Sequence, residues 1–283
     1  MKKKAAEREP EFFASGTNIP TVNYNVYYMK PLEKLGYFLL AFVVGAAVGW
    51  LFYGGIGKDA YGQPTTTTRV LDIVIPCIVG FIAGKLFIPM RTQSIIDKRR
   101  SKLKHQFRDM LDSLTVAVGA GENISNAFVT AKNELSMQYD GNAYILKELE
   151  IIITDMNNAF NVEDILMDFG DRSGIDDIKS FASVFAVSYR KGGNMKDIIR
   201  NTHNILSDKM EIGEDIETLV TSNKMEQNIM IVMPVMLIGM IKFASPDFAA
   251  NFVSSTGLVS TTIALALFVV AYFIGKKVLS IKM

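Results

Sequence analysis

Apolar residues in this chain gather in four long runs, and one long polar stretch separates the second run from the third. The runs cover residues 35–53, 70–90, 228–243 and 258–275, and the polar stretch covers residues 91–226. A helix rises about 1.5 Å per residue, so about twenty residues cross a bilayer core of roughly 30 Å. The third run is short for a span, and we expect the preceding helix to supply its missing turns. The pattern predicts two transmembrane hairpins, residues 35–90 and 227–283, on either side of a polar domain.

Basic residues mark one side of the predicted membrane. They lie in the polar tail of residues 1–34, directly after the second run and at the end of the chain: Lys2, Lys3, Lys4, Arg91, Lys98, Arg99, Arg100, Lys102, Lys104, Arg108, Lys276, Lys277 and Lys282. The positive-inside rule places such residues in the cytoplasm. The sequence therefore predicts a multi-pass protein of the cytoplasmic membrane, with both termini and the polar domain inside the cell.

The polar domain, residues 91–226, has the pattern of successive helices. Apolar residues recur three or four positions apart, as in the stripe of Leu103, Phe107, Leu111, Leu114 and Val118. We find no strand-like alternation of useful length. The pattern predicts an all-α fold in which six helices form a compact bundle that buries its own core in water.

Three helices of this domain share one starting pattern, in which Asn is followed three residues later by Asn or Asp. The Asn residues are Asn123, Asn161 and Asn194. We expect each Asn side chain to accept a hydrogen bond from a free amide of the first turn. The residue three positions later can reach back as a loose capping box. Glycines at 119, 121, 192 and 193 end the preceding helices.

Composition supports membrane insertion and argues against several other classes. Hydrophobic residues make up 49% of the chain, which is high for a soluble protein, and the formal net charge of +1 gives no case for nucleic-acid binding. The single cysteine, Cys77, cannot form an internal disulfide, and we expect an inert, buried thiol. Asp72 and Lys85 lie about 20 Å apart along the second run, too far to pair, and are expected at the membrane interfaces.

Two G-x-x-x-G spacings lie inside the first two runs, at Gly45 and Gly49 and at Gly80 and Gly84. Small residues at this spacing let two helices approach closely in a membrane. We expect the four glycines to pack transmembrane helices closely and to be candidate contacts between subunits of an oligomer. The alternative is that glycines are simply common in membrane helices.

No motif for catalysis, a cofactor or a structural metal site occurs, so no catalytic, cofactor-binding or metal-binding residue is assigned. Arg99, Arg100, Lys102 and Lys104 are the candidates for a charged docking face toward a partner. His105, on the same helix, is interpreted as solvent-facing rather than as a phosphoacceptor. We expect the acidic residues of the polar domain to be solvated at helix starts and on polar faces, with a divalent-cation site among them as the minor alternative. They are Glu148, Glu150, Asp155, Glu163, Asp164, Asp168, Asp171, Asp176 and Asp177.

Residues 103–237 resemble the F-domain family, the inner-membrane platform proteins of type II secretion and type IV pili. The resemblance lies in residues 109–114, in Gly119-Ala120-Gly121-Glu122-Asn123, in Phe169-Gly170-Asp171-Arg172-Ser173 and in residues 189–194. One such domain between two pairs of spans is similar to the Tad (Flp) pilus assembly proteins of the TadB and TadC type. Archaeal pilus platforms are a related alternative, although those chains are usually longer.

The resemblance implies a non-enzymatic platform that couples a cytoplasmic secretion ATPase to the insertion of pilin subunits into a filament. Its implied partners are that ATPase, the pilins, further copies of itself or of a paralogous platform subunit, and the lipid bilayer; no cofactor and no nucleic acid is implied. Two other classes stay open. One is a small transporter or channel subunit, for which Asp72 and Lys85 are poor candidates, and the other is a membrane signalling protein that uses His105.

Overall fold

The computed structural model describes residues 9–57, 63–245 and 251–279. It is all-α and 80% helical, as predicted. The elements are β1 (Phe12–Ala14), β2 (Pro20–Val22), α1 (Pro31–Tyr53), α2 (Thr66–Gly119), α3 (Ile124–Gln138), α4 (Tyr144–Asn157), α5 (Val162–Ser173), α6 (Asp176–Arg190), α7 (Met195–Ala244) and α8 (Ser255–Leu279). The lysines at positions 2–4 and 282 lie outside the described residues.

Within the described residues, four helical segments are long and apolar enough to cross a membrane: Pro31–Tyr53, Thr66–Gly119, Met225–Ala244 in α7 and Thr256–Gly275 in α8. They contain the four apolar runs of the sequence and fit a multi-pass membrane protein. The first helix begins at Pro31 rather than at Leu35, because proline is well suited to the first turn of a helix, where no amide donor is needed.

The chain divides into two compact units. The core unit comprises Met1–Tyr28 and Thr92–Glu211, and the span unit comprises Met29–Arg91 and Ile212–Met283. The chain passes between them inside α2 and again inside α7, which are 54 and 50 residues long. Residues 91–102 contain no glycine or proline that would end a helix. The second apolar run and the first helix of the polar domain are therefore one continuous helix.

One hydrophobic cluster lies at the centre of the core unit. The stripe predicted on α2 faces it, since Leu103, Phe107 and Leu111 are fully buried. The Phe107 ring contacts the rings of Phe169 and Phe181, with centroids 6.1 and 5.5 Å away. Each large apolar side chain buried in this way contributes about 1.5–3 kcal/mol. The periodic apolar positions of the sequence thus converge on a single core.

The three predicted Asn starts all precede a helix by one residue, but only one caps as expected. Asn123 Oδ1 accepts from the amide of Asn126 at 2.8 Å. At Asn161 and Asn194 the side-chain amide instead donates to the aspartate three residues later, at 3.1 and 2.6 Å. A carboxylate three residues on attracts the Asn amide group, and position 126 has none. The predicted cap is confirmed at α3. It is wrong at α5 and α7, where the Asn side chain donates a hydrogen bond instead of accepting one.

The described part of the polar tail, from residue 9, is folded. β1 and β2 pair antiparallel, with Phe12 opposite Val22 and Ala14 opposite Pro20. Strands of three residues are too short to give an alternation pattern, which is why the sequence did not predict them. Residues 22–28, which begin with the last residue of β2, are named the strap. It packs on the helices of the core unit, and Asn23 and Tyr24 are each only 1% exposed.

Candidate functional site: the basic segment of α2 and the strap

The four basic residues predicted to form a docking face all lie on α2 in the core unit, but the chain engages three of them. The Arg99 guanidinium lies 4.8 Å from the ring centroid of Tyr27. Arg100 Nη2 donates to Oδ1 of Asn25. Lys104 forms an ion pair with another helix, whereas Lys102 is exposed, so the four residues do not form one free surface.

Lys104 bridges to α6, and Lys102 does not. Lys104 Nζ lies 3.1 Å from Oδ2 of Asp177, whose other oxygen accepts from Lys209 on α7. Burial alone would raise the pKa of the Asp177 carboxyl, but hydrogen bonds from Lys209 and Lys104 outweigh it and hold that pKa below its usual range. Lys102 is exposed and has no partner among the residues that the structure describes. Asp177 therefore ties α2, α6 and α7 together by charge.

Tyr24 anchors the strap in the core unit. Its hydroxyl donates to Oε1 of Glu148 at 2.9 Å, and its backbone amide donates to the carbonyl of Arg172 at 3.0 Å. Its ring meets the edge of Tyr144, with centroids 5.7 Å apart. Burial raises the pKa of the Tyr24 phenol, and the nearby Glu148 carboxylate raises it further. Tyr24 therefore stays neutral and acts as a hydrogen-bond donor.

A buried ion pair lies beneath this anchor. Arg172 and Glu148 are 4% and 1% exposed, and Arg172 Nη2 lies 2.9 Å from Glu148 Oε2. Arg172 Nη1 donates to Glu148 Oε1 and to the carbonyl of Val22 in the strap, at 3.2 and 3.1 Å, and Arg172 Nε donates to Asp168 at 2.6 Å. Desolvation opposes the charge, yet Glu148 and Asp168 outweigh it and raise the pKa of Arg172. The expectation of a solvated Glu148 is wrong: the carboxylate is buried, and Arg172 compensates its charge.

A second acidic group meets the loop of the β-hairpin. Asp155 is 3% exposed and accepts from the hydroxyls of Thr17 and Ser15. It lines an open cavity of about 340 Å³ together with Asp164 and Asp168. Within the described residues, no group of three His, Cys, Asp or Glu side chains is placed to hold a metal ion. The alternative of a cation site among the acids gains no support.

His105 is partly exposed on α2, and no described residue pairs with it. The only other histidine, His203, has Nδ1 3.3 Å from the carbonyl oxygen of Arg108. The phosphoacceptor interpretation of His105 stays untested.

The four predicted packing glycines lie in the span unit, where α1 contacts α2. A Cβ added at Gly45 would lie 2.7 Å from Cβ of Ala83, and one at Gly80 would lie 2.7 Å from the carbonyl oxygen of Phe42. Added atoms at Gly49 and Gly84 would lie 3.1 Å from Val79 and 2.6 Å from Phe38. The glycines thus serve a contact within the chain, where a side chain would force the helices apart.

Asp72, Lys85 and Cys77 of the second run lie in different surroundings. Asp72 Oδ1 accepts from the amide of Gly55 at 2.6 Å, at the end of α1. Lys85 and Cys77 are exposed in the described structure. The prediction of a buried Cys77 is wrong, because this face of α2 points away from α1. Pro246 and Asp247, between the third and fourth apolar runs, lie outside the described residues.

The chain matches no protein-family model, no curated protein and no solved structure. The resemblance to the F-domain family therefore stays a prediction from the sequence.

Proposed function

We propose that this chain is the inner-membrane platform protein of a Tad or type IV-like pilus, or of a related type II secretion machine. In this proposal the core unit is a cytoplasmic six-helix bundle of the F-domain type. A cytoplasmic secretion ATPase acts on the bundle, and the spans pass the resulting motion to pilin subunits that leave the membrane. The resemblance of residues 103–237 supplies the family, and the following features of the chain support the mechanism.

The continuity of α2 and α7 is the observation that carries the proposal. Each helix runs without interruption from an apolar span into the core unit, since the chain changes unit near residue 91 in α2 and near residue 211 in α7. An unbroken helix transmits displacement along its axis, whereas a flexible linker would absorb it. A protein that converts motion of a bundle into motion of spans needs such a connection.

The charges of the core unit suit a binding and force-bearing role. Glu148 and Arg172 are buried and satisfied by one another and by the strap, so they hold the fold together. Basic residues follow the second span directly, and by the positive-inside rule they support a core unit and two termini in the cytoplasm. We propose that the chain is not an enzyme and that the ATPase supplies the chemistry.

The proposal also indicates where further subunits and pilins bind in the membrane. The apolar windows of α1 and α2 are 22% and 17% buried within the chain, whereas those of α7 and α8 are 0% and 6% buried. The glycines of α1 and α2 already form the contact between these two helices. We therefore place contacts with other copies, a paralogous platform subunit or pilins on α7 and α8, with lipid covering the rest.

Deletion of the gene in the native cell tests this function. We expect filaments to disappear while processed pilins accumulate in the membrane, and the full chain supplied from a plasmid to restore filaments. Affinity purification of the restored chain should also recover a cytoplasmic secretion-type ATPase. Normal filaments in the deletion strain, or a transport defect with intact filaments, would contradict the proposal.

A further inference from the structure

On one edge of the Arg100 guanidinium, only one of the two nitrogen donors has a hydrogen-bond acceptor. Its Nη2 donates to the single oxygen of the Asn25 amide. Its Nε is inaccessible to solvent and has no hydrogen-bond partner among the described residues. A carboxylate has two oxygens and would satisfy Nε and Nη2 together, which is the preferred pairing of arginine. The geometry at Arg100 thus fits an acidic group better than the amide that occupies it.

Arg99, the neighbouring residue, is also held by an uncharged group. Its guanidinium lies over the ring of Tyr27 at 4.8 Å. The strap, residues 22–28, contains no acidic residue. Two adjacent arginines on α2 are therefore covered by an amide and an aromatic ring, and the strap offers neither of them a carboxylate.

The strap has a fixed part and a part that can be displaced. Tyr24 is buried and hydrogen-bonded to Glu148, so this anchor is held firmly. Asn25 and Tyr27 are only partly buried, and Tyr28 is exposed. Movement of residues 25–28, named the strap tip, would uncover Arg99 and Arg100. It would break the long contacts of Asn25 Nδ2 with the carbonyls of Asp171 and Arg172, both 3.4 Å, and would leave the Tyr24–Glu148 hydrogen bond in place.

We propose that Arg99 and Arg100 form a binding site for an acidic segment of a partner protein, and that the strap tip covers this site until the partner displaces it. The carboxylate of a Glu or Asp side chain replaces Asn25 at Arg100, and a second one replaces Tyr27 at Arg99. That the partner is the cytoplasmic ATPase rests on the proposed function; the site and its cover do not.

An acidic protein segment fits this site better than a lipid headgroup. The Arg100 edge lies against Gly174, where an added Cβ would approach Nη2 to 2.4 Å. A slender carboxylate side chain can enter this narrow space. A lipid phosphate carries two ester substituents and is wider, so we assign the site to protein.

Binding of an oligo-glutamate peptide to the full chain in nanodiscs of neutral lipid tests the proposal. Replacing Asn25 by Ala should tighten binding by about tenfold, equivalent to about 1.4 kcal/mol, because the competitor at Arg100 is lost. Tyr27→Ala should also tighten binding. Tyr28→Ala is the matched control: its hydroxyl donates to the carbonyl of Glu9 rather than to an arginine, and we expect no change.

Two double variants separate a specific site from general charge attraction. Arg99→Gln with Arg100→Gln and Lys98→Gln with Lys102→Gln each remove two positive charges from the same segment of α2. The arginine pair should lose most of the peptide binding, and the lysine pair should lose little. Equal losses, or no effect of Asn25→Ala and Tyr27→Ala, would overturn the proposal.

Hydrogen exchange of residues 25–28 provides the second readout. The peptide should increase exchange of the strap tip and leave exchange at Tyr24 unchanged. If anionic lipid in the nanodisc releases the tip and the peptide does not, the ligand is a headgroup and the proposed protein partner is wrong. None of these measurements depends on filament assembly, so they can fail while the proposed function stands, or the reverse.

Discussion

The core unit and the span unit are both helical, yet they bury their surfaces in opposite ways. In the core unit Phe107, Leu111 and Phe185 are fully buried, and even a charged pair is enclosed. In the span unit Met236 and Met240 remain 69% and 72% exposed within the chain. A helix in water must cover its apolar face with its own chain, whereas a helix in lipid need not. The span unit is thus the part of the molecule that depends on its surroundings.

The two units also differ in how their helices meet. The core unit fills the space between helices with large aromatic and aliphatic side chains, such as Phe107 against Phe181. The span unit brings α1 and α2 together by omitting side chains at Gly45 and Gly80. A change that empties space should therefore harm the core unit, and a change that fills space should harm the span unit.

Loss of one partner of the buried ion pair should have the largest effect. Glu148→Ala leaves the Arg172 charge buried and uncompensated, and it removes the acceptor of Tyr24. We expect the core unit to lose about 3–5 kcal/mol of unfolding free energy. Urea unfolding, monitored by hydrogen exchange of α4 and α5, measures this loss of free energy. The double variant Glu148→Leu with Arg172→Met should recover much of it, and failure to recover any would show that the ion pair is not the cause.

Filling the glycine contact should destabilise the span unit alone. Gly80→Leu places a side chain against the backbone of Phe42, and overpacking of this kind costs about 1–3 kcal/mol. The unfolding temperature in detergent should drop, while amide hydrogen exchange in α3–α6 should stay unchanged. Gly36→Leu is the matched control on α1, because an added Cβ there meets nothing within 4 Å. Equal effects of the two changes would contradict the contact.

The helix caps give a smaller contrast inside the core unit. Asn123→Ala removes an acceptor for the amide of Asn126 and should cost about 1 kcal/mol. Asn161→Ala removes only a side-chain contact with Asp164, so we expect a smaller loss. Chemical denaturation of the two variants side by side measures the difference. An equal or larger loss at Asn161 would reverse the assignment of the two caps.

The weakest effect concerns pH. The pKa of Asp177 is lowered in the folded state, so its stabilising contribution is present above the unfolded pKa of about 3.9 and is lost as pH falls through the lower folded value. Asp177→Asn should remove this part of the acid dependence and leave the stability of the variant flatter below pH 4. Unfolding curves of both proteins across the acidic range measure it. Parallel curves would show that Lys104 and Lys209 do not hold the carboxylate.

Periodic features of the fold could be predicted from the sequence because each depends on residues that are close together in the chain. The stripe from Leu103 to Leu114 and the helix starts at Asn123, Asn161 and Asn194 are local patterns, and all lie where they were expected. The apolar runs likewise predicted the four long helices. Local pattern also predicted the beginning of α3 through its cap.

The candidate site depended on contacts that no local pattern contains. Glu148 and Arg172 are 24 residues apart, and Tyr24 lies 124 residues before Glu148. The sequence showed charged residues on helices, which are solvated in most cases, and gave no sign that they face one another. For the same reason the engagement of Arg99 and Arg100 by the strap could not be foreseen. Aromatic residues at 24, 27 and 28 were the only available signal.

If α2 and α7 carry motion between the two units, a new proline in the exposed part of α2 should abolish that transmission. Asp97 is exposed on α2 close to the change of unit, and Asp97→Pro would kink or break the helix there by removing a hydrogen bond and clashing with the preceding turn. Asp97→Ala is the control that keeps the helix. In cells lacking the native gene, we expect the Ala variant to support filaments and the Pro variant, although stably inserted, not to. Wild-type filament numbers with Asp97→Pro would contradict the claim.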